Sequence, residues 1–135
     1  MESVAFSDPW SANDFRDCVA AGLPFLVAVG EAGELAGYVI AHWAADEGEI
    51  LNLGVATHHR RRGIARDLVA AMLQVLAAGG VRTAFLEVRE SNAAARRLYE
   101  QIGFREVGRR PRYYRRPTED AILLRATISP AGHHA

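Results

Sequence analysis

The sequence contains no lysine, a single cysteine (Cys18) and no long apolar run, although it is 135 residues long. One cysteine excludes an internal disulfide framework and is typical of the reducing cytoplasm, and we expect Cys18 to be a small core residue. A membrane-spanning helix needs roughly 18 or more consecutive apolar residues, so no membrane partner is expected. The opening residues MESVAFSDPW lack the basic and apolar regions of a secretory signal peptide. These absences together predict a cytoplasmic protein.

The positive charge is concentrated in one half of the chain. The formal net charge is zero, yet residues 1–57 hold nine acidic residues and one arginine, whereas residues 58–135 hold fifteen arginines and seven acidic residues. A genomic bias toward arginine over lysine does not explain this segregation. A basic half implies an anionic partner, either phosphate groups or a nucleic acid.

Hydrophobic periodicity predicts alternating strands and helices in one α/β domain, residues 1–135, with frayed ends at 1–5 and 129–135. The strand–helix–strand order in the middle predicts a parallel crossover, and the flanking hairpins make the sheet mixed. Helices are predicted from Ser11 to Gly22, from Ile64 to Gly79 and from Ser91 or Asn92 to Gly103. The second of these helices is apolar at Ile64, Leu68, Met72 and Val75. Strands are predicted over residues 24–30, 34–45, 48–56, 83–90, 105–115 and 121–128.

The stretch HHRRRGIARDL, residues 58–68, puts three arginines at the entrance of the second predicted helix. A helix N-terminus is the positive end of the macrodipole, so each cation there costs roughly 0.3–1 kcal/mol. The arrangement becomes favourable when a multiply charged anion occupies the entrance, because backbone N–H groups and guanidinium groups then both bind it. Gly63 lets the backbone approach that ligand closely. The Walker lysine and the three-glycine dinucleotide pattern are absent, which argues against ATP and NAD.

Several motifs resemble the GNAT superfamily of N-acetyltransferases. Arg60-x-x-Gly63-x-Ala65 after an apolar strand resembles the pyrophosphate-binding signature of that family. The stretches LEVRESNAAARRLYEQIGF, RRPRYYRRPTEDAILL and FSDPWS resemble its ribosomal-protein-alanine N-acetyltransferase (RimI) type, and the likeness runs from about Phe6 to Ile128. The resemblance implies the GNAT fold, a mixed twisted sheet with flanking helices. It also implies acetyl transfer from acetyl-CoA to the N-terminal α-amine of a protein, here a ribosomal protein that starts with alanine, without a metal.

The resemblance also implies roles for individual residues. Glu87 lies between apolar residues of a strand, where a carboxylate is costly unless it serves something; it is either one half of an ion pair with Arg89 or another arginine, or, as the resemblance implies, the general base. Glu49 acting through a water is the alternative base. Spacing alone favours a core position for Tyr99, whereas the resemblance makes it the acid for the CoA thiolate. The expected acetyl-CoA ligands are Leu53, Gly54 (in a bulge), Val55, Arg60, Arg61, Arg62, Gly63, Ile64, Ala65, Arg66 and Asn92.

The acceptor site is expected beside the last predicted hairpin. Tyr113 and Tyr114 would position a peptide N-terminus, and Glu119 or Asp120 would attract its ammonium; a solvated basic hairpin is the alternative. The five histidines show no ligand spacing and look incidental.

The sequence departs from the family pattern at the N-terminus, where relatives carry a strand and a helix before FSDPW. Only five residues precede Phe6 here, so the expectation is either a truncated start or a protein that lacks the usual first strand and helix. The strand around Phe25–Val29 is therefore expected to be an open sheet edge, filled by a partner chain or by a homodimer.

Two other functions compete with this one. The cofactor motifs also fit a GNAT enzyme that acts on a small-molecule amine or a lysine side chain. A non-enzymatic RNA-binding module would use the arginines with Tyr113 and Tyr114 as stacking platforms. A nucleic acid partner is disfavoured, because base stacking does not require Glu87, Tyr99 or Gly63 at their positions.

Overall fold

The computed structural model describes residues 23–30, 32–56, 63–115 and 117–128. In these ranges no helix is long and apolar enough to span a membrane. The elements are β1 (Phe25–Val29), β2 (Leu35–Ala44), β3 (Glu47–Val55), α1 (Ile64–Ala78), β4 (Thr83–Arg89), α2 (Ala93–Ile102), β5 (Arg105–Tyr114) and β6 (Glu119–Thr127). Outside the described residues lie the predicted first helix, Cys18, the arginines 60–62, both predicted frayed ends and the N-terminal region where the first strand and helix of the family were expected to be missing.

The six strands form one mixed sheet in the order β1-β2-β3-β4-β6-β5. β3 and β4 are parallel and joined by α1, and the other neighbouring pairs are antiparallel. The predicted α/β class, parallel crossover and flanking hairpins are confirmed. The last strand, β6, pairs with both β4 and β5 and therefore lies between them.

Helix α1 packs one broad apolar face on the sheet. Its buried residues are Leu68, Val69, Met72, Leu73 and Leu76. Ile64 and Val75, which the periodicity placed in the stripe, are half-buried at its margins. The apolar face of a helix is about 100° wide and includes more positions than a single line of residues. The four apolar positions named from the sequence therefore described only part of the buried face.

Helix α2 begins and ends at capping residues. The Oδ1 atom of Asn92 accepts a hydrogen bond from the N–H of Ala95 at 3.1 Å, so Asn92 rather than Ser91 is the N-cap. Gly103 ends the helix with φ of 119°, a left-handed conformation that glycine adopts without strain.

The main core lies between the two helices and one face of the sheet. Strand β4 contributes alternate residues to it, namely Ala84, Leu86 and Val88. Since side chains alternate along a strand, the residues between them, Phe85 and Glu87 among them, point to the opposite face. This alternation decides on which side of the sheet Glu87 acts.

Candidate active site

Strands β3 and β4 pair over only part of their length. Their register consists of Glu47↔Thr83, Gly48↔Ala84 and Glu49↔Phe85, although β3 continues to Val55 and β4 to Arg89. Within the described residues, the carboxyl-terminal halves of these strands therefore form a cleft whose two edges do not pair with each other. Crevices at the carboxyl ends of parallel strands are common ligand sites in α/β proteins.

The edge of β3 at this cleft ends in Leu53, Gly54 and Val55, which pair on their other side with β2. We expected a bulge at Gly54, and this expectation is wrong. The register shifts between Ile40 and Ala41 of β2, which leaves Leu51 as the extra residue of β3. A Cβ on Gly54 would lie 2.4 Å from Cε1 of Tyr38, so the glycine accommodates a tyrosine ring.

Helix α1 starts beside the same cleft. A Cβ on Gly37 would meet both the Gly54 carbonyl oxygen at 2.9 Å and Cγ2 of Ile64 at 3.2 Å, so the helix start lies against the end of β3. Gly63 has φ of 72° and precedes the helix, and no described side chain caps it. The N–H groups of the first turn are thus available to an anion.

The structure separates the predicted diphosphate-binding residues into two groups. Ile64 and Ala65 are half-buried, pack against the core and contribute backbone at the helix start, whereas the side chain of Arg66 is exposed. Arg60, Arg61 and Arg62 lie outside the described residues, and their part in binding stays a prediction.

Glu87 is a largely buried carboxyl group on β4, with 13% of its side chain exposed. Its Oε1 atom lies 3.3 Å from Nε of Arg110, whereas its buried Oε2 atom has no hydrogen-bond partner among the described residues. Burial raises the pKa of Glu87, the positive charge of Arg110 opposes this shift, and the negative charge of Glu49 adds to it. The arginine partner is therefore Arg110 rather than Arg89.

An open cavity of about 390 Å³ adjoins Glu87. His42 and Glu49 line it, and the Nε2 atom of His42 lies 2.9 Å from Oε1 of Glu49. We judged this histidine incidental from its sequence spacing. The sequence did contain a signal for this contact, the two-residue turn Ala45–Asp46 between β2 and β3. In a hairpin, residues at equal distances before and after the turn pair with each other, and His42 and Glu49 are each three residues from it.

Tyr99 of α2 and Tyr114 of β5 lie near each other. Both are buried, and burial raises the pKa of Tyr99, with the neighbouring Tyr114 adding to the shift. The ring of Tyr99 packs edge-on against Phe104 at 5.7 Å between centroids, and the guanidinium of Arg89 lies 4.4 Å from the Tyr114 centroid. Only 4% of Tyr114 is exposed, which argues against the acceptor-side role expected for it; that role stays a prediction.

Tyr113 is more exposed than these two residues, and its ring packs edge-on against that of Tyr114 at 5.2 Å between centroids. Half of the residue is exposed, and the guanidinium of Arg110 lies 5.4 Å from its ring centroid. Tyr113 is thus connected through Arg110 to Glu87 and the cavity, which is compatible with the acceptor-side role expected for it.

Glu119 is engaged within the protein. Its Oε1 atom accepts a hydrogen bond from the N–H of Ser91 at 2.9 Å, and its Oε2 atom lies 3.0 Å from Nη1 of Arg89. Hydrogen bonds from Ser91, and then from Arg89, lower the pKa of Glu119. The alternative, Asp120, accepts from the N–H of Arg112 at 3.0 Å. These contacts argue against the ammonium-binding role that the sequence suggested for either carboxylate.

The described residues contain no group of three or more histidine, cysteine, aspartate or glutamate side chains arranged to hold a metal ion. The features described above form one candidate site, which consists of the cleft between β3 and β4, the start of α1, and the cavity around Glu87.

Comparison with known proteins adds an independent finding. The family model described as "Acetyltransferase (GNAT) family" matches residues 2–104. The [ribosomal protein bS18]-alanine N-acetyltransferase of Escherichia coli (strain K12) is 37% identical over 134 residues, which cover 96% of this chain and 88% of that protein.

Solved structures are similar over almost the same span. The crystal structure of the ribosomal-protein-S18-alanine N-acetyltransferase from Escherichia coli has a TM-score of 0.84 and 34% identity, covering 97% of this chain and 85% of that chain. A chain of the NatC complex bound to Gag peptide and CoA has a TM-score of 0.79 and 28% identity, covering 91% and 83%.

Proposed function

Since the chain belongs to the acetyltransferase (GNAT) family and is an N-acetyltransferase, we propose that it transfers acetyl from acetyl-CoA to the N-terminal α-amine of a protein. The acceptor we propose is a ribosomal protein that starts with alanine, because the similar Escherichia coli protein is named for that activity. The observation that carries the proposal is Glu87, a largely buried carboxyl group with a raised pKa that lines an open cavity. We further propose that the chain is one catalytic domain and acts in the cytoplasm.

The cleft offers polar backbone groups that fit a thioester carrier with a diphosphate. Leu53, Gly54 and Val55 would bind its arm along the open edge of β3, and the uncapped N–H groups at the start of α1 would bind its phosphates. Arg60–Arg62 and Asn92 complete the set that we propose. When bound, acetyl-CoA supplies the electrophilic thioester carbonyl.

Glu87 and Tyr99 would divide the proton transfers between them. A peptide α-amine has a pKa of about 8, so a carboxylate with a raised pKa is basic enough to take its proton during attack. The phenol of Tyr99 stays protonated at neutral pH because burial raises its pKa, and it can donate to the sulfur as the thiol leaves. Glu49, beside Glu87 and paired with His42, would relay the proton toward solvent.

The ion pairs on β5 support this function over RNA binding. Arg109 contacts three carboxylates, those of Glu90, Glu106 and Asp120, and Arg110 contacts Glu87. These guanidinium groups are already neutralised by carboxylates, which leaves less charge for phosphates.

A peptide panel tests the proposal. The protein is incubated with acetyl-CoA and peptides that start with alanine, serine, methionine or acidic residues, with free lysine and polyamines in parallel, and thiol release is measured. We expect turnover with the alanine peptide and none with the same peptide blocked at its N-terminus. Turnover with lysine or polyamines alone would replace the proposed acceptor by a small amine.

A further inference from the structure

Arg110 reaches Glu87 across an intervening strand. Glu87 of β4 pairs with Leu123 of β6, which in turn pairs with Gly108 of β5. Arg110 follows two residues later in β5, and its Nε atom lies 3.3 Å from Oε1 of Glu87. Gly108, level with Glu87, carries no side chain that would separate the two groups.

The other charged groups beside Glu87 are mostly acidic. The cavity is lined by Glu47 and Glu49 from β3 and by His42 from β2, and Glu49 is paired with that histidine. The remaining neighbours from β4 and β6, Phe85 and Leu123, are apolar. Among the described residues lining the cavity, Arg110 is the one permanently charged cation that contacts Glu87.

The two carboxylate oxygens of Glu87 have different surroundings. Oε1 receives the guanidinium of Arg110, and Oε2 is buried without a hydrogen-bond partner among the described side chains and backbone. The guanidinium of Arg110 also makes a cation–π contact with Tyr113, at 5.4 Å from the ring centroid.

We propose that Arg110 is a positioning residue for Glu87, because its contact with Oε1 holds the carboxylate in place at the cavity to take the proton from the acceptor amine. This inference rests on the proposed function, in which Glu87 is the base. During transfer a bond forms between the amine nitrogen and the carbonyl carbon, and one N–H proton passes to the carboxylate of Glu87. The C–S bond breaks, the sulfur keeps the electron pair, and it receives a proton from the phenol of Tyr99, which Glu87 later replaces through solvent.

The inference predicts the pH dependence of variants at position 110. The charge of Arg110 lowers the pKa of Glu87 against burial and Glu49, so Arg110→Met raises that pKa. A protonated base is inactive, and the acid limb of the kcat/KM profile therefore moves to higher pH. The loss at acidic pH is on the order of tenfold for each unit of the shift, and it diminishes at alkaline pH. Arg110→Lys keeps the charge and restores most of the profile.

Arg109→Met is the matched control. It removes a neighbouring guanidinium of β5 that contacts Glu90, Glu106 and Asp120 but not Glu87, and its pH profile should match the wild type. A ¹³C titration of the glutamate carboxyl groups, assigned with Glu87→Gln, measures the pKa of Glu87 directly in each variant. Arg110→Gln replaces the methionine variant if that variant fails to fold.

Two results separate this inference from the proposed function. If Glu87→Gln loses turnover while Arg110→Met and Arg110→Gln keep the wild-type profile and carboxyl pKa, the role of Arg110 is refuted and the base stands. If Glu87→Gln turns over at the wild-type rate, the base assignment fails and the inference fails with it.

Discussion

Glu87 lies where opposing effects act on one carboxyl group. Burial and the charge of Glu49 raise its pKa, and the charge of Arg110 lowers it, with burial the largest effect. A raised pKa makes the carboxylate a stronger proton acceptor but narrows the pH range in which it is ionised. At the scale of single residues, the balance among these groups is what we expect to control catalysis.

Replacing Glu87 by Gln should lower kcat by about 10²- to 10⁴-fold, the usual contribution of a general base. The KM for acetyl-CoA should change little, and the acid limb of the pH profile should disappear because the titrating group is gone. Steady-state kinetics from pH 5.5 to 9 measure both effects. Glu49→Gln is the comparison, and a larger loss in that variant than in Glu87→Gln would make Glu49 the base.

Glu87→Gln, which should lower kcat, should leave the thermal stability unchanged or raise it. A carboxyl group whose pKa is raised by folding stabilises the protein fully below its unfolded pKa of about 4.3 and loses that contribution as pH rises through the folded pKa. At pH 7 the ionised Glu87 is therefore a cost, and Glu87→Gln should have a Tm equal to or above the wild type. The difference should narrow toward pH 4 in thermal melts. A variant much less stable at pH 7 would show that the Arg110 ion pair outweighs burial.

Tyr99→Phe should lower kcat by tenfold or more, on the order expected for loss of a proton donor. The affinity for CoA should stay near the wild-type value, because the ring still packs against Phe104. Kinetics and calorimetry together check this expectation. Unchanged turnover would return Tyr99 to a purely structural role in the core.

At the scale of elements, the position of the start of α1 at the cleft depends on how the ends of β2 and β3 pack. Tyr38 of β2 covers Gly54 of β3, and Gly37 lets the start of α1 approach the Gly54 carbonyl. Two glycines on neighbouring strands thus bring a helix N-terminus to the open end of the cleft. The element boundaries follow local rules, whereas this approach depends on contacts between strands and a helix.

Gly54→Ala should reduce the free energy of unfolding by about 1–3 kcal/mol, as overpacking in a core does. The added Cβ would lie 2.4 Å from Cε1 of Tyr38, so the second substitution Tyr38→Leu should recover part of the loss. Gly63→Ala is the control for backbone strain alone, since its Cβ would meet no atom within 4 Å; a loss of about 1 kcal/mol is expected from its positive φ. Denaturant unfolding compares the variants, and a Gly54→Ala protein as stable as the wild type would contradict the steric argument.

At the scale of the whole molecule, the described sheet has two outer strands, β1 and β5. Val27 and Val29 on β1 are 50% and 61% exposed, which is unusual for an edge that must stay unpaired. The other outer strand, β5, is polar and its arginine residues are exposed. Charge on an edge strand opposes pairing with another chain. The open edge predicted from the sequence therefore corresponds to β1 of the described sheet, and its filling by a second copy remains our prediction.

Light scattering at increasing protein concentration should reveal a homodimer. Val27→Lys should shift the equilibrium toward the monomer, because a charge on the edge disfavours strand pairing. Val107→Lys on β5, where the valine is 44% exposed, should leave the dimer intact. A monomer at all concentrations would contradict the predicted dimer.

The sequence alone determined the family and the local structure. The motif resemblance is confirmed by the GNAT family match and by the similar Escherichia coli enzyme, and Gly63, Asn92 and Gly103 correctly marked helix ends. These features depend on residues within one or two turns of each other. Capping and periodicity are therefore readable from neighbouring positions.

Only the tertiary structure decided which groups meet. The bulge at Leu51 and the irregular pairing of β5 change which residues face each other across the sheet, and such shifts accumulate from strand to strand. The pairing of Glu87 with Arg110, rather than with its neighbour in sequence Arg89, follows from the register of three strands. The burial of Tyr114 and the ion pair of Glu119 with Arg89 could not be predicted for the same reason, since both depend on contacts between residues that are distant in the chain.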